Sequence, residues 1–180
     1  HMWQQYPQDT FYANGNVIML YCDLNRPEIM VSTPTLLCRL ILDKEGRVEK
    51  KMEYRHIERE PKSLVGDFIC SAYRENDSTL WVGHIGNALS RITFLPEGKY
   101  EAENFSTEDA EKFKDFEELQ PDSAGNIWIA GNSIATFNIP TRQYCFFSID
   151  ENRNINSYKL GASYKSPDGK IYFGGSNGFS

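Results

Sequence analysis

Short runs of alternating apolar and polar residues, broken by clusters of Asp, Asn, Pro and Gly, fill the chain from about residue 16 to its end. A period of two is the signature of half-buried β-strands, and the breaks supply turn chemistry. One four-residue strand recurs: Glu28-Ile29-Met30-Val31, Thr79-Leu80-Trp81-Val82, Asn126-Ile127-Trp128-Ile129 and Lys170-Ile171-Tyr172-Phe173. Its third positions, 30, 81, 128 and 172, lie 51, 47 and 44 residues apart. Small residues follow the last three copies, as Gly83, Ala130-Gly131 and Gly174-Gly175. Twelve residues before each anchor stand Ile18, Ile69, Phe116 and Leu160, and seven after it stand Leu37, Ala88, Ala135 and Phe179. A unit of about 40 to 50 residues with one such strand per copy predicts a β-propeller.

Each unit reads as an antiparallel meander. First strands fall at about 16–22, 67–74, 115–120 and 158–165, and the anchor strand follows a turn such as Asp122-Ser123-Ala124-Gly125. Third strands fall at about 35–41, 87–94 and 133–139, and weaker fourth strands at about 47–54, 99–105 and 143–149. Four strands per unit match a propeller blade. The expectation is an all-β fold of about three and a half four-stranded blades, at about 14–62, 63–110, 111–156 and 157–180. The fourth unit stops inside its third strand. The chain then reads as part of a longer propeller, or as one that covers its open edges by pairing with a second copy. Ser106 to Phe113 opens with a Ser-x-x-Asp that predicts a short helix between blades.

Composition narrows the partners. Of 180 residues 40% are apolar and 13% aromatic, enough for a folded core, and the formal net charge is −6. No basic stripe is present, Lys50-Lys51 being the one adjacent basic pair, which argues against nucleic acid as a partner. No apolar run approaches the ~20 residues of a membrane-spanning helix, and His1-Met2 reads as an expression scar. Cys22, Cys38, Cys70 and Cys145 lack metal-ligand spacing. They read as buried thiols in apolar strands, with one disulfide open to them in an oxidising compartment. Neither a metal nor a cofactor is expected.

The segment Asp122-Ser123-Ala124-Gly125-Asn126-Ile127-Trp128-Ile129-Ala130-Gly131 resembles the repeat of two-component regulator propellers, and Asp77 to Gly83 is a shortened copy. Pro61 to Val65 is similar to the segment that precedes a first strand in that family, and Tyr172-Phe173-Gly174-Gly175-Ser176-Asn177-Gly178-Phe179 to its last blade. The likeness covers residues 14–180. It implies the periplasmic sensor region of a Bacteroides-type hybrid two-component system, responsive to glycan-derived oligosaccharides. Further blades and the histidine kinase would lie elsewhere in the parent protein. The chain itself carries no kinase or receiver motif, so it is expected to bind rather than catalyse. A scaffold propeller for protein partners or dimerisation is the alternative reading, and a propeller lyase or glycosidase a weaker one.

Recurrence separates framework from site. Met30, Trp81, Trp128 and Tyr172 repeat at one register, which assigns them to packing between blades. Side chains that break the repeat, in the loops between second and third strands, are the candidate ligand contacts: Thr33, His84, Asn87, Asn132, Ser133 and Asn177. The carboxylate pairs Glu117/Glu118 and Asp67/Glu75 and the histidines His56 and His84 form no evident catalytic set.

Overall fold

The computed structural model describes residues 16–23, 25–86, 88–107, 113–147 and 157–180. Asn87 and most of the predicted helix (residues 108–112) lie outside them, whereas Ser106 ends a strand and Phe113 is buried. Among the described residues there is no α-helix. Four antiparallel meanders form the blades of a propeller. Blade 1 holds β1 (Met19–Cys22), β2 (Glu28–Thr33), β3 (Leu36–Leu42) and β4 (Val48–Tyr54). Blade 2 holds β5 (Ile69–Arg74), β6 (Thr79–His84), β7 (Ala88–Phe94) and β8 (Tyr100–Ser106). Blade 3 holds β9 (Glu118–Pro121), β10 (Asn126–Ala130), β11 (Ile134–Asn138) and β12 (Gln143–Phe147). Blade 4 has three strands, β13 (Tyr158–Lys165), β14 (Ile171–Gly175) and the two-residue β15 (Gly178–Phe179).

The turn before each Trp anchor is shaped by an acid six residues upstream. Asp122 accepts the backbone N–H groups of Ala124 (2.8 Å) and Asn126 (2.9 Å), closing the hairpin, and the Trp128 indole N–H (3.0 Å). Glu75 accepts the Trp81 indole N–H at 2.8 Å in the same way. With its one donor satisfied at the turn, each indole lays its apolar body between blades. Trp81 is fully buried in a cluster with Phe116, Ile127 and Phe137 of the next unit. Met30 does the same against Ile69, Leu80 and Ile92 of blade 2. Trp128 contacts Tyr158 and Phe173 of blade 4 but remains half-buried, stacked on Phe147 at 5.4 Å. Tyr172 meets Tyr164 and Phe179 of its own blade, on a face where Tyr164 and Phe179 are exposed.

Two small residues after the anchors let the sheets close. A methyl group on Gly131 would overlap the Asp115 carbonyl oxygen, and one on Gly83 would meet the Phe116 carbonyl. At Gly83 the crossing chain is the one that enters the next blade, whereas at Gly131 it is the Lys114–Asp115 segment leading into Gly131's own blade. Backbone bonds tie the ends of these anchor strands to the chain entering the next blade, Phe116 N–H to the His84 carbonyl (3.2 Å) and Tyr158 N–H to the Gly131 carbonyl (2.9 Å).

Between blades 1 and 2 the contact is also ionic. Glu28 of β2 lies in a bidentate-like grip between Arg39 of its own sheet (2.7 Å) and Arg74 of β5, with both Glu28 and Arg74 buried. The two guanidinium groups also sit over the Phe94 ring, at 4.4 and 5.0 Å from its centre. The thiols divide: Cys38 and Cys70 are buried as expected, but Cys22 and Cys145 are exposed, because their side chains fall on outward-facing positions of β1 and β12; all four are free.

Removing Glu28 leaves Arg74 buried without its counter-charge, a loss of about 3–5 kcal/mol for a broken buried pair. Urea unfolding of Glu28→Ala should show a correspondingly lower midpoint. An unchanged midpoint would mean that the pair contributes nothing to the seam.

Candidate functional site

The first strand of every blade is an edge strand, bonded to its own sheet on one side only. Its alternate N–H and C=O groups therefore point away from the sheet. Strands β1, β5, β9 and β13 run beside one another in sequence, and together they enclose a channel cavity of about 410 Å³. That volume lies in the range of small-molecule sites. Leu20 and Leu160 line it and are 65% and 45% exposed, so the cavity is open to solvent.

One charged side chain belongs to its wall. Glu118, the first residue of β9, reaches across to β13 and accepts from the Gly161 N–H and the Ser163 hydroxyl. The Gln120 amide donates to the same Ser163 oxygen at 2.8 Å. Gly161 sits in a bulge where the pairing of β13 with β14 slips between Tyr158 and Ser163. Its φ of +74° belongs to the left-handed region that glycine adopts without cost. The bulge turns that N–H out of the ladder and onto the carboxylate. Burial pushes the Glu118 carboxyl above the usual range, against the pull of the Ser163 and Gly161 bonds. Glu117 is raised by burial and by the Asp115 charge, with Lys159 opposing. Cys70, also in the wall, is pushed up to about 12 by burial and by the Glu117 and Asp115 charges. Its thiol stays protonated and is not a nucleophile.

Apart from Asn87, the loop residues marked out in the sequence stand around one rim of the propeller rather than in the channel wall. Thr33 and His84 occupy the same place after their anchors, at the ends of β2 and β6, and both are buried. The Thr33 hydroxyl oxygen accepts from the Thr35 N–H (3.3 Å), a local turn contact. His84 belongs to a relay inside blade 2. The Asn104 amide donates to the Ser63 carbonyl (2.9 Å), and the Ser90 hydroxyl donates to the Asn104 oxygen (2.6 Å). Nε2 of His84, 2.8 Å from the Ser90 oxygen, must then be the donor. Nδ1 has no partner in hydrogen-bond geometry, although the Gly66 backbone lies beside the ring. His84 is thereby enclosed, on the inner side of the rim where a loop position was expected. Asn132 is exposed and accepts the Lys114 N–H (2.6 Å); the Ser133 hydroxyl donates to the Phe147 carbonyl (2.9 Å); Asn177 is exposed on blade 4. Among the described residues no group of three or more His, Cys, Asp or Glu side chains is placed to hold a metal. Of the carboxylates weighed in the sequence, Glu118 alone reaches the channel. Its signal was the glycine in the middle of a strand opposite it, a break in the period-two pattern.

No known protein family's sequence profile matches the chain, and no curated protein does. Solved structures do. The extracellular domain of BT3049 from B. thetaiotaomicron, assigned as a hybrid two-component system, superposes with a TM-score of 0.72 at 18% identity over 98% of this chain. Two structures of the BT4673 extracellular domain from the same organism superpose at 0.65 and 0.60, each at 17% identity, over 91% and 94% of this chain. The chain spans 23%, 22% and 21% of those three chains. The shared property is the fold.

The enclosed imidazole of His84 generates a pH prediction. Burial holds it down to about 4, against about 6.5 in an unfolded chain. The unfolded state therefore takes the proton first as pH falls. The stability tied to neutral His84 is complete above about pH 6.5 and lost progressively toward pH 4, by up to about 3 kcal/mol. Urea midpoints at neutral and mildly acidic pH, for wild type and His84→Gln, check this. The wild type should lose more stability than the variant, and equal losses would refute the assignment.

Proposed function

We propose that the chain is a ligand-sensing propeller segment on the extracytoplasmic side of a hybrid two-component sensor, acting by binding and passing its state to signalling domains of the parent protein. The observation that carries this reading is the channel: an open cavity of small-molecule size whose wall is built from strand edges of all four blades. Exposed peptide groups offer donors and acceptors at close intervals, which suits ligands rich in hydroxyls, and glycan-derived oligosaccharides are the proposed class. A ligand spanning the channel would touch several blades at once and so bias their mutual packing, as a sensor requires. The similarity to extracellular domains of hybrid two-component systems supports the same reading and the same location. The segment is proposed to be non-catalytic: its one channel carboxylate is bonded to Gly161 and Ser163, and its channel thiol is held protonated.

A second reading draws on blade 4. Leu160, Tyr164 and Phe179 are exposed there, on the sheet whose counterparts in blades 1 to 3 are covered by the next blade. That surface favours a contact with further blades or with a second copy, and a scaffold role would use it.

Calorimetric titration of the folded protein with a panel of neutral oligosaccharides tests the sensor reading, with size-exclusion chromatography run alongside. Saturable heat for at least one glycan, by a species of unchanged size, is expected. No binding to any member, together with concentration-dependent dimerisation, would favour the scaffold instead.

A further inference from the structure

The channel wall is asymmetric in charge. Among the described residues Glu118 is the one carboxylic acid lining it and no Lys, Arg or His does; the other lining side chains are apolar, amide or hydroxyl groups, apart from the protonated Cys70 and the Tyr21 phenol. Nearby charges do not reverse this: Asp115 and Glu117 are acidic, and Lys159 acts on Glu117. Lys165 is turned to the Pro121 carbonyl (2.7 Å). The chain as a whole carries −6. The Glu118 carboxylate uses one acceptor position on each oxygen, for the Gly161 N–H and the Ser163 hydroxyl. An ionised carboxylate has roughly four such positions, so capacity remains for a ligand's donors. A divalent metal is a poor occupant, since Ca²⁺ and Mg²⁺ need several oxygen ligands and a single carboxylate does not supply them. An ammonium group needs only one such partner together with neutral acceptors, and the exposed strand-edge carbonyls provide those.

We propose that the central channel binds a small hydroxylated molecule carrying a primary ammonium group, of the free amino-sugar class, with the nitrogen docked on Glu118 and the hydroxyls on the edges of β1, β5 and β9. This rests on the sensor reading above and refines it. The Gly161 bulge is then part of the binding site: together with Ser163 and Gln120 it fixes the carboxylate in one orientation before the ligand arrives, which reduces the entropy lost on binding. Leu20 and Leu160 cover the sugar's less polar face at the channel mouth. Because the interaction requires the ionised acid, affinity falls as pH drops and Glu118 takes up a proton.

The test compares D-glucosamine and D-galactosamine with their N-acetyl and parent hexose counterparts, by calorimetry or ligand-observed NMR on the full chain near neutral pH. The amines should bind measurably more tightly than both neutral sets. Glu118→Gln should weaken them by roughly 10-fold or more, the scale of one charge-assisted bond, and leave any neutral binding in place. Because Glu118→Gln also alters the seam between blades 3 and 4, a second variant is needed. Leu20→Arg places a cation at an exposed channel position remote from that seam, and should abolish amine binding with the circular dichroism of the fold retained. Equal affinity for amine and neutral sugars, no amine binding at millimolar concentration, or full binding by both variants would each overturn the proposal. Wild-type binding of neutral oligosaccharides without amine binding would overturn this inference alone. Glu118-dependent amine binding with no response to the neutral panel would support it and count against the oligosaccharide assignment.

Discussion

Every feature of this propeller depends on one packing constraint: each sheet must bury its outward face on the next. A lone antiparallel sheet of four short strands leaves apolar surface wet until another element covers it. Here the cost is met blade by blade, with Met30 seated on Ile69 and Leu80, and Trp81 on Ile127 and Phe137. Large side chains at the seam demand a small one where the connecting chain crosses it, which is why Gly83 lies against the Phe116 carbonyl; Gly131 makes similar room for the Asp115 carbonyl inside its own blade. The Glu28–Arg39–Arg74 group adds direction to a contact that apolar packing alone leaves free to slide. Its ionic partners come from both sheets and accept little displacement.

The same constraint explains why so much of the fold could be read from the sequence. A seam needs a bulky residue at a fixed register, so Met30, Trp81 and Trp128 recur, with Tyr172 at the same register of blade 4 against its own sheet, and disclose both the unit length and the strands around them. The turn acids keep the same register, Glu75 and Asp122 each standing six residues before the indole it holds, although in the sequence Glu75 reads only as half of a carboxylate pair with Asp67. The channel left almost no such trace. Its wall consists largely of backbone edges, which any sequence provides, and its one charged group is part of an ordinary Glu117-Glu118 pair. Alternation along a strand turns these neighbours to different sides, and only Glu118 meets the channel. Nor did departure from the repeat identify ligand contacts by itself. Thr33 and His84 vary between blades, yet each is buried at the end of its anchor strand, where the chain passes to the next unit.

That contrast bears on how such a segment can sense. Seam residues are constrained by neighbours on both sides and change only with a change in the angle between blades. Inner strands answer to two demands at once, since each is bonded to its own sheet and faces the common cavity. A ligand docked on Glu118 would lie beside the seam of blades 3 and 4, where Trp128 is half-buried and the fourth sheet has three strands among the described residues. This seam holds a further cavity of about 350 Å³ lined by Trp128, Ile134 and Phe173. Tight packing resists graded deformation, whereas a seam with free volume can shift between arrangements at small cost. Glu118 bridges that seam through Gly161 and Ser163. Under the amine-binding proposal, a charge bound to this carboxylate would bear directly on the contact between blades 3 and 4, where free volume lies beside Trp128.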